Sequence, residues 1–215
     1  YDHADGPRRI GPGADSDALL HCAWQGALPQ GALPDPPAWT LVARCGCDQA
    51  LIDVDDDDAM RWLQACLWPG DRARQARLAE ARRLTRQLQP PRVAADDGLA
   101  VLTAWLQTLP SGATPVLFNS WVLAYFTPAM LATHRDRVLD LVQGRGLVWL
   151  SAEDGTITHQ MTGLALPTDA LPGRARATAD THTFWALTEP GDSAPQHTLL
   201  ARSHPHGTWL QWLAP

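Results

Sequence analysis

Short apolar runs and helical stripes alternate through the middle of this chain, and the alternation stops near its end. Trp39, Leu41, Val42 and Ala43 form a run after a Pro-rich loop. That is the pattern of a strand buried on both faces, predicted over 39–45. Gly46 then turns the chain towards Asp48 and Asp53. The acidic run Asp55 to Asp58 suits a helix start, where carboxylates cap free N–H groups and meet the positive end of the dipole. Met60, Trp62, Leu63, Cys66 and Leu67 follow at helical spacing until Trp68-Pro69-Gly70 breaks the pattern. A second helix is predicted from Asp71 to Gln89. Leu78, Ala81, Leu84 and Leu88 form its stripe, and six arginines lie along it.

Pro90-Pro91 ends that helix. Arg92 to Ala95 read as a short strand running into Asp96 and Asp97, and Leu99 to Leu109 as a helix. TPVLFNS, residues 114–120, is a strand. Thr127-Pro128 opens a helix, with Thr as cap and Pro in the first turn, and Gly144 is placed at its C-terminal end. GLVWLSAE, residues 146–153, is a strand ending in a carboxylate. Three strands then follow, at 181–189, 197–203 and 208–213. The last two are joined by His204-Pro205-His206-Gly207 in a tight turn. The order predicts an α/β sheet with an antiparallel finish. Residues 1–38 are Gly- and Pro-rich and read as an irregular segment, with a strand predicted over Ala18 to Trp24. Residues 39–215 read as one α/β domain.

Composition narrows the chemistry. The chain has 215 residues, a net charge of −6, a pI near 5.7 and 45% hydrophobic residues. The acidic balance argues against nucleic acid as a partner, because phosphate binding needs a basic face. All 17 basic residues are arginine, so a lysine Schiff base and a P-loop lysine are excluded. No run of 18 apolar residues is present, so no membrane-spanning helix is predicted. Cys22, Cys45, Cys47 and Cys66 sit in apolar contexts and read as buried free thiols of a cytoplasmic protein.

Ligands of open α/β sheets sit outside the carboxyl ends of the strands, where an acidic residue takes a ribose hydroxyl pair. Asp48 and Asp53 are candidates for that role; the alternative is turn capping. Asp96 and Asp97 end the next strand, with helix capping as the alternative. Asn119 and Ser120 end the 114–120 strand. The surrounding F-N-S-W-V lacks the G-x-S-x-G of a hydrolase nucleophile. Glu153 is either a general base or an arginine partner. His204 and His206 form an H-x-H pair, read as a turn rather than a metal site. Trp68 and Trp121 are the tryptophans expected to face a ligand, and the others are expected in the core.

This arrangement resembles the core of class I S-adenosylmethionine-dependent methyltransferases. More closely, the chain resembles the bacterial family "domain of unknown function 2332". The matching pieces are Arg44-Cys45-Gly46-Cys47-Asp48 with Asp53, Trp68-Pro69, Phe118-Asn119-Ser120 with Tyr125, Trp149-Leu150, and His204-Pro205-His206-Gly207 with Trp209. Leu51 stands where that family tends to carry Pro. The resemblance implies a Rossmann-like three-layer sandwich with a mostly parallel sheet and an antiparallel C-terminal hairpin. It implies S-adenosylmethionine as cofactor and a small molecule as methyl acceptor. Asp48 and Asp53 would serve the ribose, and Asp96 and Asp97 the adenine. Asn119 and Ser120 would lie where donor and acceptor meet. It also implies that the central strand, with its Gly loop, lies upstream of Tyr1, between the 39–45 and 114–119 strands.

Overall fold

The computed structural model describes residues 20–26, 39–167 and 182–214. Much of the irregular 1–38 segment and the first residues of the predicted 18–24 and 181–189 strands lie outside them. The described residues form a mixed α/β structure with a six-stranded mixed sheet, a two-stranded sheet and five α-helices. They divide into two compact units.

The smaller unit spans Thr40 to Leu109. Its strands β2 (Gly46–Asp48) and β3 (Arg92–Ala94) pair in parallel, with Cys47 beside Val93. Helix α1 (Asp57–Ala65) starts where the acidic run predicts: Asp56 accepts from the N–H groups of Asp58 and Ala59. Helix α2 (Arg72–Leu88) is capped by Asp71, which accepts from the Arg74 N–H. Helix α3 (Gly98–Leu106) is capped by Asp97 and packs against β2. Met60, Leu99 and Leu102 are its buried apolar side chains among the described residues.

The larger unit is built on residues 110–215 with His21–Gly26. Strand β4 (Val116–Ser120) pairs in parallel with β5 (Val148–Glu153). Then β6 (Thr183–Glu189), β7 (Gln196–Ser203) and β8 (Trp209–Trp212) continue as an antiparallel meander. Strand β1 (Ala23–Gln25) pairs in parallel with β8 at the far edge, giving the order β1-β8-β7-β6-β5-β4. Helix α4 (Pro128–Arg145) and helix α5 (Gly155–Thr162) pack on β5 and β6. They cover the face that carries Trp149, whose ring meets His134 of α4 edge-on at 6.0 Å. Leu123, Val138, Val142, Leu147 and Trp149 are fully enclosed.

Several expectations are corrected. Residues 39–45 are not a strand. Trp39, Leu41 and Val42 are 60–69% exposed, and pairing begins only at Gly46, where β3 supplies a partner. The strands expected to lie parallel in one sheet are in two: β2 with β3, and β4 with β5. The larger sheet is mixed, not mostly parallel, because β6 pairs antiparallel with β5, and β7 with β6 and β8. Gly144 lies inside α4. The helix ends at Arg145 and its cap is Gly146, whose φ of 66° lets its N–H close on the Val142 carbonyl. Helix α5 was not predicted. The cysteines are free thiols, but Cys47 and Cys66 are exposed and Cys22 and Cys45 half-buried, so none is buried. Strand β4 is an edge strand among the described residues, with Val116 and Phe118 more than half exposed. The expected pairing of a strand between 39–45 and 114–119 is therefore not formed by described residues.

Candidate functional site

In the larger unit the parallel strands β4 and β5 run side by side and end together at Ser120 and Glu153. Period-two alternation places Trp149, Ser151 and Glu153 of β5 on one face, all buried. Asn119 of the neighbouring strand shares that face. Its carboxamide is held at both ends. The Trp149 indole N–H donates to Oδ1 at 2.6 Å, and Nδ2 donates to Glu153 Oε1 at 2.7 Å. The same Oε1 accepts the backbone N–H groups of Val122 at 3.1 Å and Leu123 at 3.3 Å. Glu153 is 1% exposed. Burial pushes its carboxyl above the usual range, against the donors from Leu123, Asn119 and Val122 that favour the charged form.

The chain leaves β4 through Trp121, whose φ of 54° is uncommon for a bulky residue. Two bonds hold it there: its backbone N–H donates to Ala152 O at 3.0 Å, and its indole N–H to Thr183 Oγ1 at 2.8 Å. Ser120 is exposed and Trp121 half-buried. Tyr125, at the end of a 3-10 turn spanning Leu123–Tyr125, is 87% exposed. The result is a rigid strand end that displays Ser120 and part of the Trp121 ring over a buried polar network.

In the smaller unit Asp48 ends β2, Asp53 lies in the turn before α1, and Asp96 and Asp97 lie between β3 and α3. Asp48 Oδ1 accepts from Ala50 N at 2.9 Å, and Asp53 Oδ1 accepts from Asp55 N at 2.9 Å. Both are turn caps, and neither second oxygen takes a hydrogen bond among the described residues. Asp97 caps α3, and Asp96 is exposed beside it. Asp48 also lines an open cavity of about 410 Å³. Its other walls are mainly apolar, including Leu51, Ile52, Met60 and Leu78, with Arg82 and Arg92 at the polar positions. Both arginines are engaged with backbone carbonyls, Arg82 with Val54 O and Arg92 with Ile52 O. Trp68 is 77% exposed on the loop after α1. The acidic run does more than cap: Arg82 pairs with Asp57 and Arg86 with Asp55, tying α2 to the start of α1.

The structure thus brings Asn119, Ser120, Trp121 and Glu153 together, while Asp48, Asp53, Asp96, Asp97 and Trp68 belong to the other unit. Among the described residues Glu153 has no arginine partner and takes N–H donors instead. Trp149 and Thr183 join the network and were not singled out as site residues. The signal for Trp149 was its i, i+2, i+4 alignment with Ser151 and Glu153 on a strand that must bury one face. His204 and His206 sit in the β7–β8 turn, where Gly207 N–H closes on the His204 carbonyl at 2.8 Å. Among the described residues no group of three metal-ligating side chains is gathered, and no helix is long and apolar enough to cross a membrane.

A family described as uncharacterized protein conserved in bacteria, DUF2332, matches residues 1–212. The chain belongs to this family. The match takes in both units, so Asp48 and Asn119 alike are part of the family's domain. No curated protein and no solved structure is matched by the chain.

Proposed function

We propose that this DUF2332 chain is a Rossmann-like, S-adenosylmethionine-dependent methyltransferase acting on a small molecule. The observation that carries the reading is the polar network at the joint C-terminal ends of parallel strands β4 and β5, the place where open α/β sheets bind ligands. In the smaller unit, Asp48 and Asp53 each keep a carboxylate oxygen for a ribose hydroxyl, so the residues fit a nucleoside. Asp96 and Asp97 would serve the adenine, and Trp68 is an exposed ring for stacking. When bound, the cofactor supplies an electrophilic methyl on a sulfonium.

The chain's own contribution is positioning. Asn119, with its carboxamide fixed by Trp149 and Glu153, would orient a ligand at the strand ends of the larger unit, with Ser120 and Trp121 beside it.

A second reading, a binding or scaffold domain without catalysis, is favoured by one observation. Asp48, Asp53 and Asp97 already serve as caps. Calorimetric titration of the chain with S-adenosylmethionine and S-adenosylhomocysteine tests the reading. Saturable heat that is lost in a joint Asp48→Ala, Asp53→Ala variant is expected. No heat with either ligand would rule out the cofactor.

A further inference from the structure

We propose that Glu153 is a positioning residue for the Asn119–Leu123 strand end and not a proton acceptor. The inference rests on reading Asn119 as the ligand-facing group, and not on the identity of the cofactor. A general base must come within hydrogen-bond reach of a substrate proton. Glu153 is 1% exposed, and its Oε1 is filled by three donors. Oε2 is enclosed and has no hydrogen-bond partner among the described residues.

What Oε1 does is specific. It is the acceptor for two successive backbone N–H groups that follow Trp121, and Leu123 is completely buried. Without that oxygen both N–H groups lose their acceptor, and buried donors left unpaired are costly. The left-handed Trp121 conformation is held by the same turn. The third donor fixes Asn119. With Nδ2 on Glu153 and Oδ1 under the Trp149 indole, the carboxamide cannot flip, so a ligand meets one donor–acceptor orientation.

All of this needs an acceptor oxygen and does not need a negative charge. Among the described residues the charged neighbour that acts on Glu153 is Asp154, which disfavours ionisation. A neutral carboxyl, or a glutamine, presents the same Oε1. Glutamine at 153 therefore preserves the strand end, while a base would be abolished by it.

The test is nuclear magnetic resonance of the whole chain in three forms: wild type, Glu153→Gln and Glu153→Ala. Amide exchange at Val122 and Leu123 and the Trp149 indole N–H signal are followed across the carboxyl titration range. The Gln form should keep Val122 and Leu123 protection within about threefold of wild type, and its indole signal should not move with pH. The Ala form should lose at least about tenfold in protection, the scale of one lost acceptor. The wild-type indole signal should titrate with Glu153. The proposal is overturned if the Gln form loses protection as fully as the Ala form, or if the wild-type indole signal ignores pH. Should the Ala form fail to fold, the Gln form decides alone. Absence of S-adenosylhomocysteine heat in wild type would remove the methyl-transfer reading and leave these signals unaffected.

Discussion

Each of the two units contains a parallel strand pair that ends in polar residues, yet they are finished to different degrees. In the larger unit β4 and β5 continue into a meander, and α4 and α5 enclose Trp149, Val138, Val142 and Leu147. In the smaller unit every residue of β2 and β3 is exposed, and α2 contributes no buried side chain. Parallel pairs are normally covered on both faces, and burial of apolar surface is the main source of stability. The smaller unit relies instead on caps at Asp56, Asp71 and Asp97 and on ion pairs between α2 and the acidic run. One unit is held by its core. The other is held by its ends and its surface.

The largest effect should follow from damage to the enclosed core. Trp149→Ala removes a fully buried ring and the donor to Asn119, and should cost the larger unit about 3–5 kcal/mol in denaturant unfolding. Leu78→Ala in the half-buried stripe of α2 should cost roughly 1 kcal/mol or less. Equal losses would erase the distinction between the units.

Local opening should differ next. Amides of β2 and β3 should exchange on the order of a hundredfold faster than those of β5 and β6, since exposed, sparsely packed segments open first. Indistinguishable protection would argue that both units unfold as one.

Acid should then move the units in opposite directions. Glu153 has a carboxyl raised by burial, so its contribution is fully present below the ordinary carboxyl range and is lost as pH rises through the raised value. Asp57 is lowered by its hydrogen bond and charge pairing with Arg82, so its contribution is present above the ordinary range and is lost as pH falls through the lowered value. Unit-resolved melts between neutral and acidic pH should show the larger unit gaining and the smaller losing. The Asp57 effect is the smallest, because the pair is solvent-screened, and it should fade in high salt. Arg82→Gln should remove it.

Local grammar was legible in the sequence; the partnering of strands was not. Asp71, Asp97 and Thr127-Pro128 start helices where their cap chemistry indicates, and Pro90-Pro91 stops α2. The 114–120 and 146–153 runs contain strands β4 and β5: β5 buries Trp149, Ser151 and Glu153 at period two, and β4 half-buries Leu117 and Asn119 at the same period. The 39–45 run is also apolar, but no strand among the described residues pairs with it, and apolar content does not specify a partner. Helix α5 was missed because GTITHQMT carries only Ile157 and Met161 as a stripe. Asp154 before it and Gly163 after it were the available signals. Within the site, Asn119 and Glu153 were legible as strand-end polar residues. Their joining through a single carboxylate oxygen was not, because it depends on the register that sets Asn119 beside Ser151.

The most direct test of the central claim is hydrogen exchange across the whole chain, with and without saturating S-adenosylhomocysteine. If the loosely packed smaller unit holds the nucleoside through Asp48 and Asp53, ligand should slow exchange over residues 46–54 while leaving β7 and β8 unchanged. Unchanged exchange over 46–54 at saturating ligand would contradict the account.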